Sequence, residues 1–64
     1  MNSELKAARE QSGKTQIQVA NEARISIAQY QNLEYGKCDP GVRTAIRIAH
    51  ALGTQPEKLW PVNQ

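Results

Sequence analysis

Residues 15–36 read TQIQVANEARISIAQYQNLEYG and contain two short helical patterns separated by a very short turn. Thr15 lies three residues before Gln18, and Ser26 lies three residues before Gln29. This spacing predicts a capping box at the start of each helix, in which the two side chains satisfy otherwise unpaired backbone N–H groups. Two amphipathic helices joined so closely are typical of a helix-turn-helix, although many αα-hairpins share the pattern.

The apolar residues of this segment fall on one side of each predicted helix. Val19, Ala20 and Ala23 form the stripe of the first helix, and Tyr30 and Leu33 form that of the second. We predict that both stripes are buried in the core.

The opposite side of the second helix, which is predicted to run to Tyr35 and stop at Gly36, carries no charge. At about 100° per residue its members lie on one arc of about 140°. They are Ile27, Ala28, Gln31, Asn32 and Tyr35. A helix side that faces only solvent normally carries Lys and Glu, so we expect another molecule to dock on this side.

Helical spacing predicts one helix before this segment and two after it. The two helices of the segment are therefore the second and third of the chain. The helix before them, the first of the chain, is expected to follow a cap at Asn2 or Ser3 and to end at Gly13. The fourth helix is expected to end at Gly53 and to bury one stripe, formed by Val42, Ala45, Ile46, Ala49 and Leu52. A short fifth helix is expected to start at Pro56 and to carry two large apolar residues, Leu59 and Trp60.

The chain has 64 residues, of which 39% are apolar and 22% are charged. These values predict one small core, and hence a single domain over residues 1–64 with the helix-turn-helix unit at about residues 15–36. Cys38 is the only cysteine and His50 the only histidine, so no intramolecular disulfide can form and a Cys/His zinc site lacks ligands. We expect neither a metal ion nor another cofactor.

Charge and hydropathy limit the classes of partner. No apolar run reaches the roughly 18 to 20 residues that span a bilayer, and the first residues, MNSE, contain an acid where a signal peptide is basic. The sequence predicts a protein that contacts no membrane and is not secreted, located in a reducing cytoplasm and associated with the nucleoid. A formal net charge of +2 weakly favours polyanionic partners.

No arrangement of residues predicts catalysis. A complete Ser/His/Asp or Cys/His set is missing, and Gly36-Lys37 lacks the rest of a phosphate-binding P-loop. Cys38 is either a redox-sensing thiol or an incidental loop residue, and His50 is either a pH-sensitive group or a surface histidine. The sequence favours the second alternative for both, because neither has a partner at a suitable spacing. We predict that the protein is not an enzyme.

An ordered series of residues extends along nearly the whole chain without gaps. It consists of Leu5-Lys6, Arg9, Gly13, Thr15-Gln16, Val19-Ala20, Ser26, Leu33-Glu34, Gly36-Lys37, Pro40, Ile48-Ala49, Ala51-Leu52-Gly53 and Leu59-Trp60. This series resembles the lambda-repressor/Cro-like helix-turn-helix family, also called the XRE family. The resemblance implies an all-α fold, a compact five-helix DNA-binding domain in which the second and third helices form the helix-turn-helix.

The resemblance also implies that the third helix reads base edges in the major groove of double-stranded DNA. The base-reading positions of the family correspond to Ile27, Ala28, Gln31 and Asn32. Asn and Gln can bond bidentately to adenine, and Ile and Ala offer apolar contact to the thymine methyl group. We therefore predict an A·T-leaning half-site, with Asn32 as the best hydrogen-bonding residue. This helix contains no Arg or Lys and so lacks the commonest guanine contact.

Phosphate contacts are implied at five positions, which are Gln16, Arg24, Tyr35, Gly36 and Lys37. In relatives, the residue at Gln16 also supports the reading helix, and the turn after that helix grips phosphate through side chains and backbone N–H groups. Arg9 and Glu34 correspond to a structural salt bridge between the first helix and the end of the third.

Three positions depart from the family pattern. Arg24 occupies a turn where relatives usually place a left-handed glycine. Lys14 replaces an apolar residue, so the hydrophobic staple with Val19 is expected to be absent. Gly41 is a weaker cap than Ser for the fourth helix.

Two functions remain open at this point. The first is a sequence-specific transcription regulator, a repressor that binds an inverted-repeat operator as a homodimer joined through Trp60 and Val62. Trp60 also fits a place in the core beside Leu59. The alternative is a protein-docking module of the antitoxin or anti-repressor type, which uses the uncharged side of the third helix to bind an unknown protein partner.

Overall fold

A computed structural model describes residues 1–62, and no strand occurs among them. The five helices are α1 (Ser3–Ser12), α2 (Gln16–Ala23), α3 (Ile27–Glu34), α4 (Val42–Leu52) and α5 (Pro56–Leu59). The prediction of an all-α, five-helix fold is confirmed. Helix α2 packs most extensively against α4 and α3, and α1 and α4 each pack against three other helices.

Local capping determines where the two helices of the helix-turn-helix begin. The Thr15 hydroxyl accepts a bond from the Gln18 N–H at 3.1 Å, and the Gln18 side chain accepts one from the Thr15 N–H at 2.8 Å. At α3, the Ser26 hydroxyl accepts a bond from the Gln29 N–H at 3.0 Å, but the Gln29 side chain does not return it. The second predicted capping box is therefore only half formed. Gly41 caps α4 without a side-chain bond, as expected.

Glycines end two of the helices as predicted. Gly13 after α1 and Gly53 after α4 both adopt the left-handed conformation. Helix α3 ends at Glu34, one residue earlier than expected, because Tyr35 is the C-cap and the left-handed residue Gly36 follows it.

The core is built from apolar residues of all five helices. Its fully buried members are Leu5, Val19, Ala20, Ala23, Tyr30, Leu33, Ile48, Ala49 and Leu59. The predicted stripes of α2 and α3 are therefore confirmed. Each stripe is buried because helical spacing brings its members to the side on which the neighbouring helices pack.

The predicted stripe of α4 is wrong in part. Val42 is 78% exposed and Ile46 is 43% exposed, whereas Ile48, which was not assigned to the stripe, is fully buried. The reason is that α4 packs chiefly on α2, which covers the side with Ile48 and Ala49. The adjoining edge with Val42 and Ile46 faces α5, and a helix of only four residues is too short to cover it.

The single residue Asn2 connects three helices. Its side-chain oxygen caps α1 by accepting the Leu5 N–H at 3.0 Å, and its Nδ2 donates to the Leu59 carbonyl at 2.8 Å. Its backbone N–H donates to the Glu34 carbonyl at 2.9 Å. The N-terminus of α1 is thereby attached to the ends of α3 and α5.

Lys14 has a structural role that replaces the missing staple. Its Nζ donates to the Ala51 carbonyl in the last turn of α4 at 2.6 Å and to the Glu22 carboxylate at 2.7 Å. A cation at a helix C-terminus interacts favourably with the helix dipole, so Lys14 joins the loop before α2 to α4 electrostatically.

Arg24 is the one non-glycine residue with a positive φ, at 61°, in the part of the chain that the structure describes. This conformation costs an L-residue about 1 kcal/mol. We expect Arg24→Gly to raise the free energy of unfolding by about 1 kcal/mol in urea denaturation. Arg24→Ala, which keeps the Cβ and removes the rest of the side chain, is the control and should give no such gain. Equal stabilisation by both variants would contradict the assignment of strain.

Candidate nucleic-acid interface

The outer side of α3 is exposed and uncharged. Ile27 is 37% and Tyr35 is 42% exposed, Ala28 and Asn32 are exposed, and Gln31 is half-buried. The side is held outward because the opposite face of α3 is buried in the core. The structure thus brings the four predicted base-reading residues together on one surface.

Gln16 connects α2 to this surface. The Gln31 Nε2 donates to the Gln16 Oε1 at 3.2 Å, and the Gln16 Nε2 donates to the Glu34 Oε1 at 3.0 Å. The side chain of Gln16 is therefore bonded at both ends by residues of α3. The predicted role of this residue in supporting the third helix has a direct structural counterpart.

An ion pair lies beneath Gln16. The Arg9 Nε and Nη2 donate to the two carboxylate oxygens of Glu34 at 2.9 and 3.1 Å. Arg9 also donates from Nη1 to the Lys14 carbonyl at 3.1 Å. The side chains of Arg9 and Glu34 are only 15% and 2% exposed, so the pair is shielded from solvent. It joins α1 and the loop before α2 to the end of α3.

The protonation of Glu34 follows from these contacts. Burial opposes its charged form, but hydrogen bonds, led by that from Arg9, outweigh the burial and hold the pKa of the carboxyl below its ordinary value of 4.5. Burial raises the pKa of the nearby Tyr30 hydroxyl, and the Glu34 carboxylate adds to this effect. The Tyr30 hydroxyl meets the geometry of a hydrogen bond with no group among the described residues. Glu34 is thus an ionised acceptor near neutral pH.

The turn after α3 uses its backbone donors internally. The Gly36 N–H donates to the Leu33 carbonyl at 3.2 Å, and the Lys37 N–H donates to the Asn32 carbonyl at 2.9 Å. These bonds satisfy the last carbonyls of the helix. The backbone N–H groups of Gly36 and Lys37, which were expected to contact phosphate, are therefore already bonded within the turn. The side chains of Tyr35 and Lys37 are exposed and available to a ligand.

Arg24 lies at the end of α2. It lines a shallow depression between the end of α2 and α4, together with Glu22, Arg47, His50 and Ala51. Its neighbours in this depression are therefore residues of α2 and α4.

A second exposed surface lies between α4 and α5. It is an open groove of about 530 Å³ whose lining is mostly apolar, formed by Asp39, Pro40, Val42, Ala45, Ile46, Pro56, Glu57, Trp60 and Pro61. Trp60 is half-buried, and it both packs against the core and lines the groove. Val62, which follows, is 76% exposed. We refer to this surface as the α4–α5 groove.

Within residues 1–62, no group of three or more His, Cys, Asp or Glu side chains is arranged to hold a metal ion. None of the described helices has the length and apolar character needed to cross a bilayer. Cys38 is an exposed thiol.

Comparison with protein families identifies the fold. A family model described as helix-turn-helix matches residues 5–59, which include every residue of the buried core. The chain belongs to the lambda-repressor/Cro-like helix-turn-helix family. Membership in this XRE family indicates a DNA-binding transcription regulator. Comparisons with curated proteins and with solved structures gave no match.

Three contacts in this XRE-family protein were not predicted from its sequence. They are the attachment of α5 by Asn2, the bond of Lys14 to the end of α4, and the bond between Gln16 and Gln31. Each joins residues that are distant in the sequence, 57, 37 and 15 positions apart.

Proposed function

We propose that this helix-turn-helix protein is a sequence-specific transcription regulator, a repressor that binds an inverted-repeat operator in double-stranded DNA as a homodimer. The observation that carries the proposal is the exposed, uncharged side of α3, which is held outward by the buried residues behind it. In this proposal α3 enters the major groove, and base edges are contacted by Ile27, Ala28, Gln31 and Asn32. The protein acts in the cytoplasm on nucleoid DNA, needs no cofactor, and represses by blocking access to a promoter.

Phosphate contacts orient α3 in the groove and supply affinity that depends on salt. Gln16 lies in the first turn of α2, where the helix dipole favours an anion. One N–H of its side chain is used by Glu34, so the second N–H is the one offered to phosphate. The side chains of Tyr35 and Lys37 make the contacts on the far side of α3, and Arg24 adds positive charge at the end of α2.

The dimer follows from affinity and from exposed apolar surface. One copy of a small domain with a net charge of +2 should bind a short site weakly, whereas two copies on one duplex gain avidity. The occupant that we assign to the α4–α5 groove is a second copy of this chain. The predicted interface of Trp60 and Val62 is thereby extended to Val42 and Ile46. Both residues are exposed and line the groove. The two reading helices then contact half-sites about 34 Å apart.

The test is selection from a random duplex library by the purified protein, followed by fluorescence anisotropy titration of the winning sequence. We expect an inverted repeat, and we expect Asn32→Ala to relax the preference at one base pair of each half-site by a factor of about 5 to 150. Gln29→Ala is the control, because Gln29 is exposed on α3 outside the predicted reading side. Enrichment of no sequence, or equal effects of both variants, would overturn the proposal.

Salt separates this function from protein docking through the same side of α3. Binding through phosphate should weaken by about 10³ to 10⁵ between 50 and 200 mM salt if about 6 to 10 phosphates are contacted. An interface with a protein that rests on uncharged residues should change little over this range. The docking function would be favoured if the selection enriched no DNA sequence and the protein retained a protein partner at both salt concentrations.

A further inference from the structure

Four side chains form one continuous chain of hydrogen bonds from the interior to the outer side of α3. Arg9 donates to Glu34, Gln16 donates to Glu34 at 3.0 Å, and Gln31 donates to Gln16 at 3.2 Å. The exposure of the residues rises along the chain, from buried Glu34 to half-buried Gln16 and Gln31. Residues from three helices take part, so the arrangement depends on the fold as a whole.

The ionised carboxylate fixes the direction of every bond in this chain. A carboxylate can only accept, so Gln16 must turn its NH₂ group toward Glu34. The carbonyl oxygen of Gln16 then points toward Gln31, and Gln31 must in turn offer an N–H to it. A carboxamide alone could be reversed at either residue, but the reversal would place two acceptors, or two donors, face to face.

The fixed direction decides what Gln31 can offer to a ligand. One of its N–H groups is used by Gln16, which leaves the carbonyl oxygen and the second N–H. This pair of groups matches adenine, whose major-groove edge presents the N6 donor and the N7 acceptor. Guanine presents two acceptors, O6 and N7, and would need both N–H groups of Gln31.

We propose that Glu34 and Gln16 are positioning residues that lock the Gln31 carboxamide in one orientation, so that Gln31 selects adenine and rejects guanine. The inference rests on the proposed function, because it assumes that α3 contacts base edges. It gives Gln31 a preference for adenine over guanine. It also means that buried Glu34 influences sequence recognition without contacting DNA.

The lock itself can be tested without DNA. In nuclear magnetic resonance spectra of the free protein, one side-chain amide proton of Gln31 should exchange with water more slowly than those of Gln29, which is exposed on the same helix. In Gln16→Met this difference should disappear. Equal exchange of the Gln31 and Gln29 side chains in the unsubstituted protein would overturn the proposal whatever the protein binds.

The base preference is tested on the selected operator with A·T or G·C at each position. The protein should prefer adenine over guanine at one position of each half-site by a factor of about 5 to 150. Gln31→Met should abolish this preference, and Gln16→Met should reduce it to a few-fold at most. Gln29→Met is the matched control and should leave it unchanged.

A second variant separates positioning from stability. Gln16→Lys keeps a donor for Glu34 but supplies no acceptor for Gln31, so it should lose the adenine preference while remaining folded. Its added charge changes the affinity for both duplexes alike and leaves their ratio as the readout. A preference that survives in Gln16→Lys and Gln16→Met would overturn the proposal. Slow exchange of the Gln31 amide in a protein that selects no sequence would instead reject the proposed function, and the adenine assignment with it.

Discussion

Glu34→Ala is expected to lower the free energy of unfolding by about 3 kcal/mol, because it leaves the half-buried Arg9 guanidinium without its carboxylate. A domain of this length has a total stability of about 3 to 10 kcal/mol, so the variant should lose roughly a third of its stability or more. Arg9→Ala should have a similar effect, since it strands Glu34, whose side chain is 2% exposed. Urea denaturation monitored by circular dichroism gives both values.

The double variant is the control for this prediction. Arg9→Met/Glu34→Leu removes both charges and fills the site with apolar groups, so it should be less destabilised than either single variant. The bonds of Glu34 to Gln16 and of Arg9 to the Lys14 carbonyl are also lost, and full recovery is therefore not expected. The single variants Arg9→Met and Glu34→Leu complete the cycle, and losses that simply add in it would show that the ion pair contributes no coupling energy.

The same pair predicts the response to acid. The pKa of Glu34 is lower in the folded protein than its ordinary value of 4.5, so the folded state favours the ionised carboxylate. The stability that it contributes is present above about pH 4.5 and is lost as the pH falls through the folded pKa. Glu34→Gln should flatten this part of the stability curve. Identical pH dependence of stability below pH 4.5 in Glu34→Gln and in the unsubstituted protein would contradict the assignment.

Ile46→Asn is expected to weaken binding to an inverted-repeat operator by about a hundredfold or more, through loss of the second copy. Linking two binding events on one duplex raises apparent affinity by about 10² to 10⁴, and a variant that cannot dimerise loses this factor. Ile46 lines the α4–α5 groove and is 43% exposed, so the substitution removes little from the core. Affinity for a duplex with a single half-site should remain nearly unchanged.

Ile17→Asn is the matched control. Ile17 is a helical isoleucine that is 60% exposed, and it does not line the α4–α5 groove. The substitution replaces the same side chain by the same uncharged amide at a site away from the proposed interface. Sedimentation equilibrium without DNA measures dimerisation, and anisotropy on full and half operators measures avidity. Equal loss of affinity on the full and the half operator would contradict an interface at the groove.

The parts of the fold that depend on neighbouring residues were predictable from the sequence. Thr15 and Gln18 cap α2 through contacts three residues apart, and Gly13 ends α1 through its own backbone conformation. Burial of the stripes in α2 and α3 followed in the same way from helical periodicity. These signals need no knowledge of where distant helices lie.

The errors came from features that only the assembled fold determines. Val42 and Ile46 are as apolar as core residues, but their exposure depends on the length and position of α5. The direction of the hydrogen bonds between Glu34, Gln16 and Gln31 requires three residues to meet from two helices. The family resemblance implied DNA contacts for Gln16 and Gln31, but it could not show that the two side chains bond to each other.

The attachment made by Asn2 has a consequence for the spacing of operators. Asn2 bonds to Glu34 at the end of the reading helix and to Leu59, which precedes Trp60 at the α4–α5 groove. In the proposed dimer, the reading helix and the interface are thus joined without a hinge. One additional base pair between half-sites moves the second half-site by about 3.4 Å and turns it by about a tenth of a helical turn. Such a dimer would tolerate one length of spacer and reject its neighbours.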